Sequence, residues 1–372
     1  MASFIDSRES KRPGTSRAST DLFDMAEQYP FSDVHFWRDP ETQLQAIIAI
    51  HSTKLGPAIG GCRMINYPSA HAAVKDACCL AAGMSYKTAI NRLPFGGGKA
   101  VILKPKNLTD RKALFASFGR FVESLGGRYI TAMDSGTTIA DMDVIASQTN
   151  HVMCTTTAGL ASGDPSPHTA KGVYYGIKAA VKFKLQQESL AGLHVAIQGV
   201  GNVGYALAKL LHNDGAKLTI ADPNQQATQR LVDELGADIV TGDDLYAVHC
   251  DVFAPCALGQ VINAHTIAQL NTAIIAGSAN NQLQHPNMAD ALAAKDILYA
   301  PDYVINSGGV LQIAYLNKPD VVQHKLAALY DTLLAIFIQA EQQNSSTVDV
   351  ANSLAEKILT EPFSGADYEE KY

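Results

Sequence analysis

Leu193-His194-Val195-Ala196-Ile197-Gln198-Gly199-Val200-Gly201-Asn202-Val203-Gly204 is the stretch on which the fold of this chain turns. A short, largely apolar run of strand length leads straight into glycines spaced GxGxxG. Tyr205 to Asn213 then carries apolar residues at helical spacing, with Gly215 as its expected C-cap. Lys217-Leu218-Thr219-Ile220-Ala221 reads as the next strand, and the acidic Asp222 closes it about twenty residues past the glycines. Glycines alone are weak evidence, but strand, turn, helix, strand and carboxylate in this order are the dinucleotide fingerprint. The first glycine allows the tight turn, the second lets a pyrophosphate approach the backbone, and the third lets helix pack on strand. The positive end of the helix faces the phosphates.

Asp222 is expected to accept hydrogen bonds from a ribose and to repel a 2′-phosphate, and Pro223-Asn224-Gln225 offers no arginine to neutralise one. The expected cofactor is therefore NAD rather than NADP, held by Gly199, Val200, Gly201, Asn202, Val203, Gly204 and Asp222. Further strands are expected at Ile239, Val252 to Ala254, Ala273 to Ala276 and Ile297 to Ala300. Strands alternating with helices predict a parallel, doubly wound α/β sheet.

Upstream, Leu44-Gln45-Ala46-Ile47-Ile48-Ala49-Ile50 reads as a strand and Gly56-Pro57-Ala58-Ile59-Gly60-Gly61 as a turn. Ser69 opens a helix through Met84, with Val74, Ala77, Cys78 and Ala81 on its apolar face. The helix is expected to deliver Lys87 to a loop, after which Gly96-Gly97-Gly98 forms a turn ending in Lys99. A lysine beside bare backbone is shielded from water, and two lysines in one pocket disfavour each other's charge. One of them is suited to hold an anion while the other moves a proton.

With 372 residues the chain calls for about two domains, and 47% hydrophobic against 17% charged residues describes a globular protein with a sizeable core. A net charge of -7, with no basic block beyond the N-terminal tail, argues against nucleic acid as a partner. No uninterrupted apolar run approaches the roughly eighteen residues of a membrane span, and no secretory signal core opens the chain. Cys62, Cys78, Cys79, Cys154, Cys250 and Cys256 form no metal-binding spacing and read as reduced packing residues, so a cytoplasmic protein without a metal is expected.

Several blocks carry a family resemblance: Gly60-Gly61-Cys62-Arg63-Met64, Gly83-Met84-Ser85-Tyr86-Lys87, Gly96-Gly97-Gly98-Lys99 and Tyr129-Ile130-Thr131-Ala132-Met133-Asp134. Gly163-Asp164-Pro165-Ser166-Pro167, Ala254-Pro255-Cys256-Ala257-Leu258-Gly259, Ala279-Asn280-Asn281-Gln282-Leu283 and Tyr303-Val304-Ile305-Asn306-Ser307-Gly308-Gly309 follow in family order. Together they resemble the Glu/Leu/Phe/Val dehydrogenases over about residues 35 to 360. The resemblance implies reversible oxidative deamination of an L-amino acid to a 2-oxo acid and ammonia, in a homo-oligomer, dimer or octamer. Lys87 falls on the lysine that binds the substrate carboxylate, Lys99 on the catalytic lysine that activates water against the imine, and Asp134 on its acidic partner. Thr169 matches the contact to the nicotinamide amide, with a second reading as a helix N-cap; Asn281 matches a contact to the nicotinamide ribose and substrate, with a second reading as a turn residue. His168 and Ser307 depart from the small residue and the alanine usual at their positions.

The same resemblance places Gly60 and Gly61 beside the substrate and Ile59, Met84, Ala132, Val310 and Ile313 around its side chain. All five side chains are apolar, which disfavours glutamate because its carboxylate would be buried unpaired. Relatives resembling phenylalanine dehydrogenase tend to carry glycine where Ala132 stands, so leucine, valine or isoleucine is preferred, with phenylalanine or tryptophan as the alternative. A non-catalytic NAD-binding relative would be expected to lose Lys99 or Asp134, and both are present. Residues 1–20, rich in Ser, Arg and charged side chains and broken by Pro13-Gly14, are expected to form a disordered tail, with a targeting sequence as the alternative. The resemblance implies a substrate and catalytic domain with a mixed sheet (21–154), a Rossmann-type NAD domain (155–325) across a cleft, and C-terminal helices (326–372) returning to the first domain. The charged tail from Gly365 to Tyr372 is expected to be loose.

Overall fold

The computed structural model describes residues 32–156, 164–257, 259–316 and 318–361. The N-terminal tail, residues 157–163 and the charged C-terminal tail lie outside them.

The first half builds β1 (Asp33–Asp39), β2 (Leu44–Ser52), β3 (Ala58–Ile65), α1 (Ala70–Ile90), β4 (Gly96–Leu103), α2 (Arg111–Ser124), β5 (Tyr129–Met133) and α3 (Ile139–Ala146). Its five strands form one mixed sheet in the order β1-β2-β4-β3-β5. β2 runs antiparallel to β1 and β4, whereas β3 is parallel to β4 and β5. β2 is buried along most of its length because it is covered twice. Ile47, Ala49 and Val101 meet Val74, Ala77, Cys78 and Ala81 of α1, while Ile48, Ile50 and Ile102 meet Leu114, Phe115, Phe118 and Phe121 of α2.

Helix α1 starts where expected, with Ser69 Oγ accepting the Ala72 N–H, but it runs a turn and a half past Met84. Lys87 therefore belongs to its last turn rather than to a loop. Both glycine clusters expected as turns are strand: Gly60 and Gly61 lie within β3, and Gly96, Gly97 and Gly98 open β4. The physical reason is close packing rather than chain reversal. A Cβ on Gly60 would stand 1.7 Å from the Gly98 carbonyl oxygen, and one on Gly97 would stand 2.1 Å from the Ser85 nitrogen. Glycine here lets α1 sit directly on the sheet.

The second half follows with α4 (Ser166–Leu185), β6 (His194–Gln198), α5 (Asn202–Asn213), β7 (Lys217–Ala221), α6 (Gln225–Leu235), β8 (Asp238–Ile239), β9 (His249–Pro255), α7 (Ala264–Gln269), β10 (Asn271–Ile275), α8 (Met288–Ala294) and β11 (Leu298–Tyr299). Its sheet is parallel throughout, in the order β11-β10-β9-β6-β7-β8. That is the strand order of doubly wound dinucleotide-binding sheets, with β6 and β9 at the point where the winding reverses. Every strand expected here is present within a few residues.

Four helices close the described chain: α9 (Asp302–Ile305), α10 (Gly308–Ala314), α11 (Pro319–Gln343) and α12 (Thr347–Thr360). By length and composition α11 is long and apolar enough to cross a membrane, at a mean hydropathy of 1.4. Its Leu333, Ile336, Phe337 and Ala340 instead join Val173 and Ile177 of α4 in the core beneath the parallel sheet. A division at residue 325 falls inside this unbroken helix, whose Val322, Leu326 and Leu329 pack with Leu93 of the first half before its later residues join the core of the second sheet. The return to the first half is continued by α12, where Glu356 Oε1 accepts the Tyr86 hydroxyl at 2.7 Å and Ala355 packs with Leu55 and Ala89.

Candidate active site

The parallel register of β3 and β5 sets Gly60 beside Thr131, Gly61 beside Ala132 and Cys62 beside Met133. Asp134 thus leaves the end of β5 alongside β3, while Lys99 projects from β4 on the other side of β3. About two strand spacings, near 10 Å, separate the flanking strands. A lysine arm can lie across the middle strand because β3 carries glycine there. A Cβ on Gly61 would stand 2.6 Å from the Asp134 Cβ. The result is a close ion pair, with Lys99 Nζ 2.5 Å from Asp134 Oδ2. Lys99 is only 7% exposed.

Burial alone would raise the Asp134 carboxyl. The Lys99 ammonium, then the Arg63 guanidinium, more than reverse this and hold it well below the usual carboxylate range. Arg63 Nε approaches Asp134 Oδ2 at 3.3 Å, and its NH1 donates to Asp76 Oδ2 at 3.0 Å. Asp76 also accepts the Tyr67 hydroxyl at 2.5 Å.

Lys87 is the lysine that desolvation pushes down, to about 8. The charges of Asp302 and Asp134 work against that fall and the like charge of Lys99 works with it. Burial raises the Asp302 carboxyl, opposed by the backbone N–H groups of Gln282 and Tyr303 (2.9 and 2.6 Å) and by Lys87. The two lysines therefore share one electrostatic field, as their spacing in the sequence suggested, but have different partners.

Ile59, Met84, Ala132 and Ile313 converge on one apolar cluster, to which Ile313 is brought by α10 from the second half of the chain. Val310 packs instead with Leu93 and Leu311 in a neighbouring cluster. Thr169 is not an N-cap: α4 begins at Ser166 after Pro165, and the Thr169 hydroxyl donates back to the Pro165 carbonyl at 3.2 Å. The start of α4 lies against Gly308 and Gly309, and a Cβ on Gly309 would come 2.9 Å from Thr169 Oγ1. Asn281 adopts φ 51° in a turn whose carbonyl accepts the Gln260 N–H. It lines a cleft of about 780 Å³ together with Arg63, Asp76, Asp302 and Tyr303, so both halves of the chain wall it. Lys87, Lys99 and Asp134 do not line that cleft.

The glycine loop fits a dinucleotide. Gly199 has φ 90° and its Cβ would meet Ala257 at 2.5 Å; a Cβ on Gly204 would meet the Gly199 carbonyl oxygen at 2.0 Å, and Gly201 faces open space. The loop is tight where it must turn and open where a pyrophosphate would pass. Helix α5 begins at Asn202, so the expected contacts Asn202 and Val203 are its first residues. The Asp222 carboxylate braces the loop, accepting the Val200 N–H and the Asn224 N–H, both at 2.8 Å.

Arg63 and Asp302 were not among the residues expected at the site. Arg63 stood within the Gly60 to Met64 block, which pointed to it; Asp302 carried no local signal, because what gives it meaning is burial beside a lysine far away in sequence. Ser307, the departure from the usual alanine, is fully buried and has a use. Its hydroxyl donates to the Tyr303 carbonyl at 2.8 Å and accepts Asn91 Nδ2 at 2.9 Å, and Asn91 also caps the Lys87 carbonyl. The end of α1 is thereby tied to the turn between α9 and α10.

A buried cation–carboxylate pair next to an apolar cluster on one sheet, and a glycine loop with room for a pyrophosphate on the other, are together the equipment of an amino acid dehydrogenase. Residues 31–151 match the model of the Glu/Leu/Phe/Val dehydrogenase dimerisation domain, and residues 162–225 and 222–319 match that of the Glutamate/Leucine/Phenylalanine/Valine dehydrogenases. The chain belongs to the Glu/Leu/Phe/Val dehydrogenase family. It is 47% identical to the leucine dehydrogenase of Geobacillus stearothermophilus over 340 residues, 91% of this chain and 93% of that protein. It is 44% identical to the phenylalanine dehydrogenase of Bacillus thermotolerans over 332 residues, 87% of each. The crystal structure of L-tryptophan dehydrogenase from Nostoc punctiforme superposes with a TM-score of 0.79 at 41% identity, covering 91% of this chain and 98% of that one.

Proposed function

We propose that the protein catalyses NAD-dependent, reversible oxidative deamination of a branched-chain L-amino acid, with leucine, valine or isoleucine preferred, to the 2-oxo acid and ammonia. The single observation that carries this reading is the Lys99–Asp134 pair at 2.5 Å, with Asp134 directly following Met133 of the cluster that holds Ile59, Met84, Ala132 and Ile313. The two sheets are read as a substrate domain and a Rossmann-type NAD domain facing each other across a cleft, with Gly199 to Gly204 and Asp222 holding the cofactor and Thr169 and Asn281 at its nicotinamide end. NAD, when bound, would accept the hydride released from the substrate α carbon.

Lys87 is assigned the substrate carboxylate. Desolvation makes the ammonium costly to keep charged, so an anion that pairs with it relieves that cost. Lys99 is assigned to activating the water that adds to the substrate imine, and Asp134 to relaying the proton between the amino nitrogen and that water. Closure of the apolar walls around them excludes bulk water and strengthens each electrostatic contact. An apolar side-chain pocket with no cation among Ile59, Met84, Ala132 and Ile313 favours leucine over glutamate, whose buried carboxylate would go unpaired. Asp222 favours NAD over NADP, since a 2′-phosphate would meet a carboxylate. The protein is read as a cytoplasmic homo-oligomer, supported by the dimerisation domain that residues 31–151 match.

The test is to mix the purified protein with NAD and a panel of L-amino acids and to follow NADH absorbance. Leucine, valine and isoleucine are expected to give the largest kcat/KM. Silence with every amino acid would refute the reading, and a preference for phenylalanine or tryptophan would refute the side-chain assignment.

A further inference from the structure

We propose that Arg63 is a positioning residue for the Asp134 carboxylate, braced from behind by Asp76 and Tyr67. The proposal rests on the reading of Lys99 and Asp134 as the proton-handling pair and goes beyond it to a residue that neither lysine position implies.

The geometry is specific. Cys62 pairs with Met133 across the parallel strands, so the next residue on each side, Arg63 and Asp134, are neighbours. Arg63 Nε and Lys99 Nζ meet the same carboxylate oxygen, Asp134 Oδ2, at 3.3 and 2.5 Å, while Oδ1 meets Ser135 Oγ at 3.4 Å. The far side of the guanidinium is engaged as well, with NH1 3.0 Å from Asp76 Oδ2 and the Tyr67 hydroxyl on that oxygen at 2.5 Å. Asp76 lies on α1, the helix that ends with Lys87. One planar cation therefore links the helix of the anion-binding lysine to the carboxylate of the proton pair. The Arg63 and Asp134 side chains are 17% and 19% exposed, so solvent screens the contact little.

The choice of arginine has a chemical consequence. A lysine that activates water changes its charge during turnover, and each time it does so its ion pair with Asp134 weakens. A guanidinium stays charged at every working pH and presents donors in a rigid fork. Arg63 can then keep Asp134 in place through the part of the cycle in which Lys99 is neutral. Lys99 from β4 and Arg63 from β3 contact Asp134, and Cys62 from β3, Tyr129 from β5 and Lys87 from α1 lie within reach of its charge. Of the three cations among them, Arg63 alone cannot give up its proton.

The experiment compares the full-length protein with Arg63→Gln, Arg63→Lys and Asp76→Asn in kcat and KM for leucine across pH, NADH binding by fluorescence, and thermal unfolding. Arg63→Gln is expected to lower kcat about 100-fold, the scale on which loss of positioning acts. KM and NADH affinity should change little, and the acidic limb of the kcat profile should move to higher pH as Asp134 loses a cation. Arg63→Lys should recover part of kcat and return the acidic limb toward its original position. Asp76→Asn, which frees only the outer end of the arginine, should cause a smaller loss in kcat. Wild-type kcat and pH profile in Arg63→Gln would overturn the proposal. So would a kcat loss with an unmoved profile, or one that tracks unfolding and NADH release. A silent wild-type protein would instead condemn the dehydrogenase reading, which the same experiment keeps separate.

Discussion

Lys99 Nζ and Asp134 Oδ2 lie 2.5 Å apart although they come from strands on opposite sides of β3, and the contact has room because Gly61 leaves β3 without a side chain between them. Lys99→Ala is expected to abolish turnover, with a loss of at least about 100-fold in kcat. NADH binding should be retained, because the glycine loop and Asp222 are on the other sheet. Titrating the variant with NADH by fluorescence checks this, and a variant that no longer binds NADH would show the division of labour to be wrong.

Lys87 supplies a pH dependence whose sign follows from its cause. Desolvation lowers its folded value to about 8, so the ammonium is present below that pH and is lost as pH rises through it. The inhibition constant of 4-methylpentanoate, a carboxylate without an amino group, should therefore weaken above pH 8 in the free enzyme. Lys87→Met should bind the inhibitor poorly at every pH and flatten the profile. A flat profile in the wild-type protein would remove Lys87 from carboxylate binding.

Ala132 faces the apolar cluster from β5, opposite Gly61. Ala132→Gly removes one methyl group where a ring would enter, and a group of that size in an apolar pocket is worth about 1 to 3 kcal/mol of discrimination. The ratio of kcat/KM for phenylalanine over leucine is expected to rise by roughly tenfold or more. An unchanged ratio would place the side-chain pocket elsewhere.

Gly97 tests the packing of α1. A methyl there would stand 2.1 Å from the Ser85 nitrogen, which is helix backbone and has nowhere to retreat without moving Lys87. Gly97→Ala should destabilise the protein by about 1 to 3 kcal/mol, the usual cost of overpacking. Thermal unfolding should show it as a lower Tm, accompanied by a raised KM for the amino acid. A variant with wild-type Tm would mean that helix and strand are not in contact as described.

Local pattern carried most of the fold. The parallel sheet from β6 to β11 was legible because strand, glycine loop, helix and Asp222 occur within one short stretch, where periodicity and turn chemistry act on neighbouring residues. The glycines of β3 and β4 read as turns but are strand for a reason equally physical. Glycine serves chain reversal and close approach alike, and which of the two it serves depends on what packs against it.

Thus the chain by itself determined the alternation of strands and helices, the glycine loop and the presence of two lysines near bare backbone. Tertiary structure decided how the charges are shared: Lys99 with Asp134, Lys87 in the field of Asp302, and Arg63 between Asp134 and Asp76. It also brought Ile313 to Ala132 and tied Asn91 to Ser307. Spacing along the chain reports which side chains an element presents. Burial and pairing between side chains far apart in sequence depend on the sheet order and on how closely α1 approaches it.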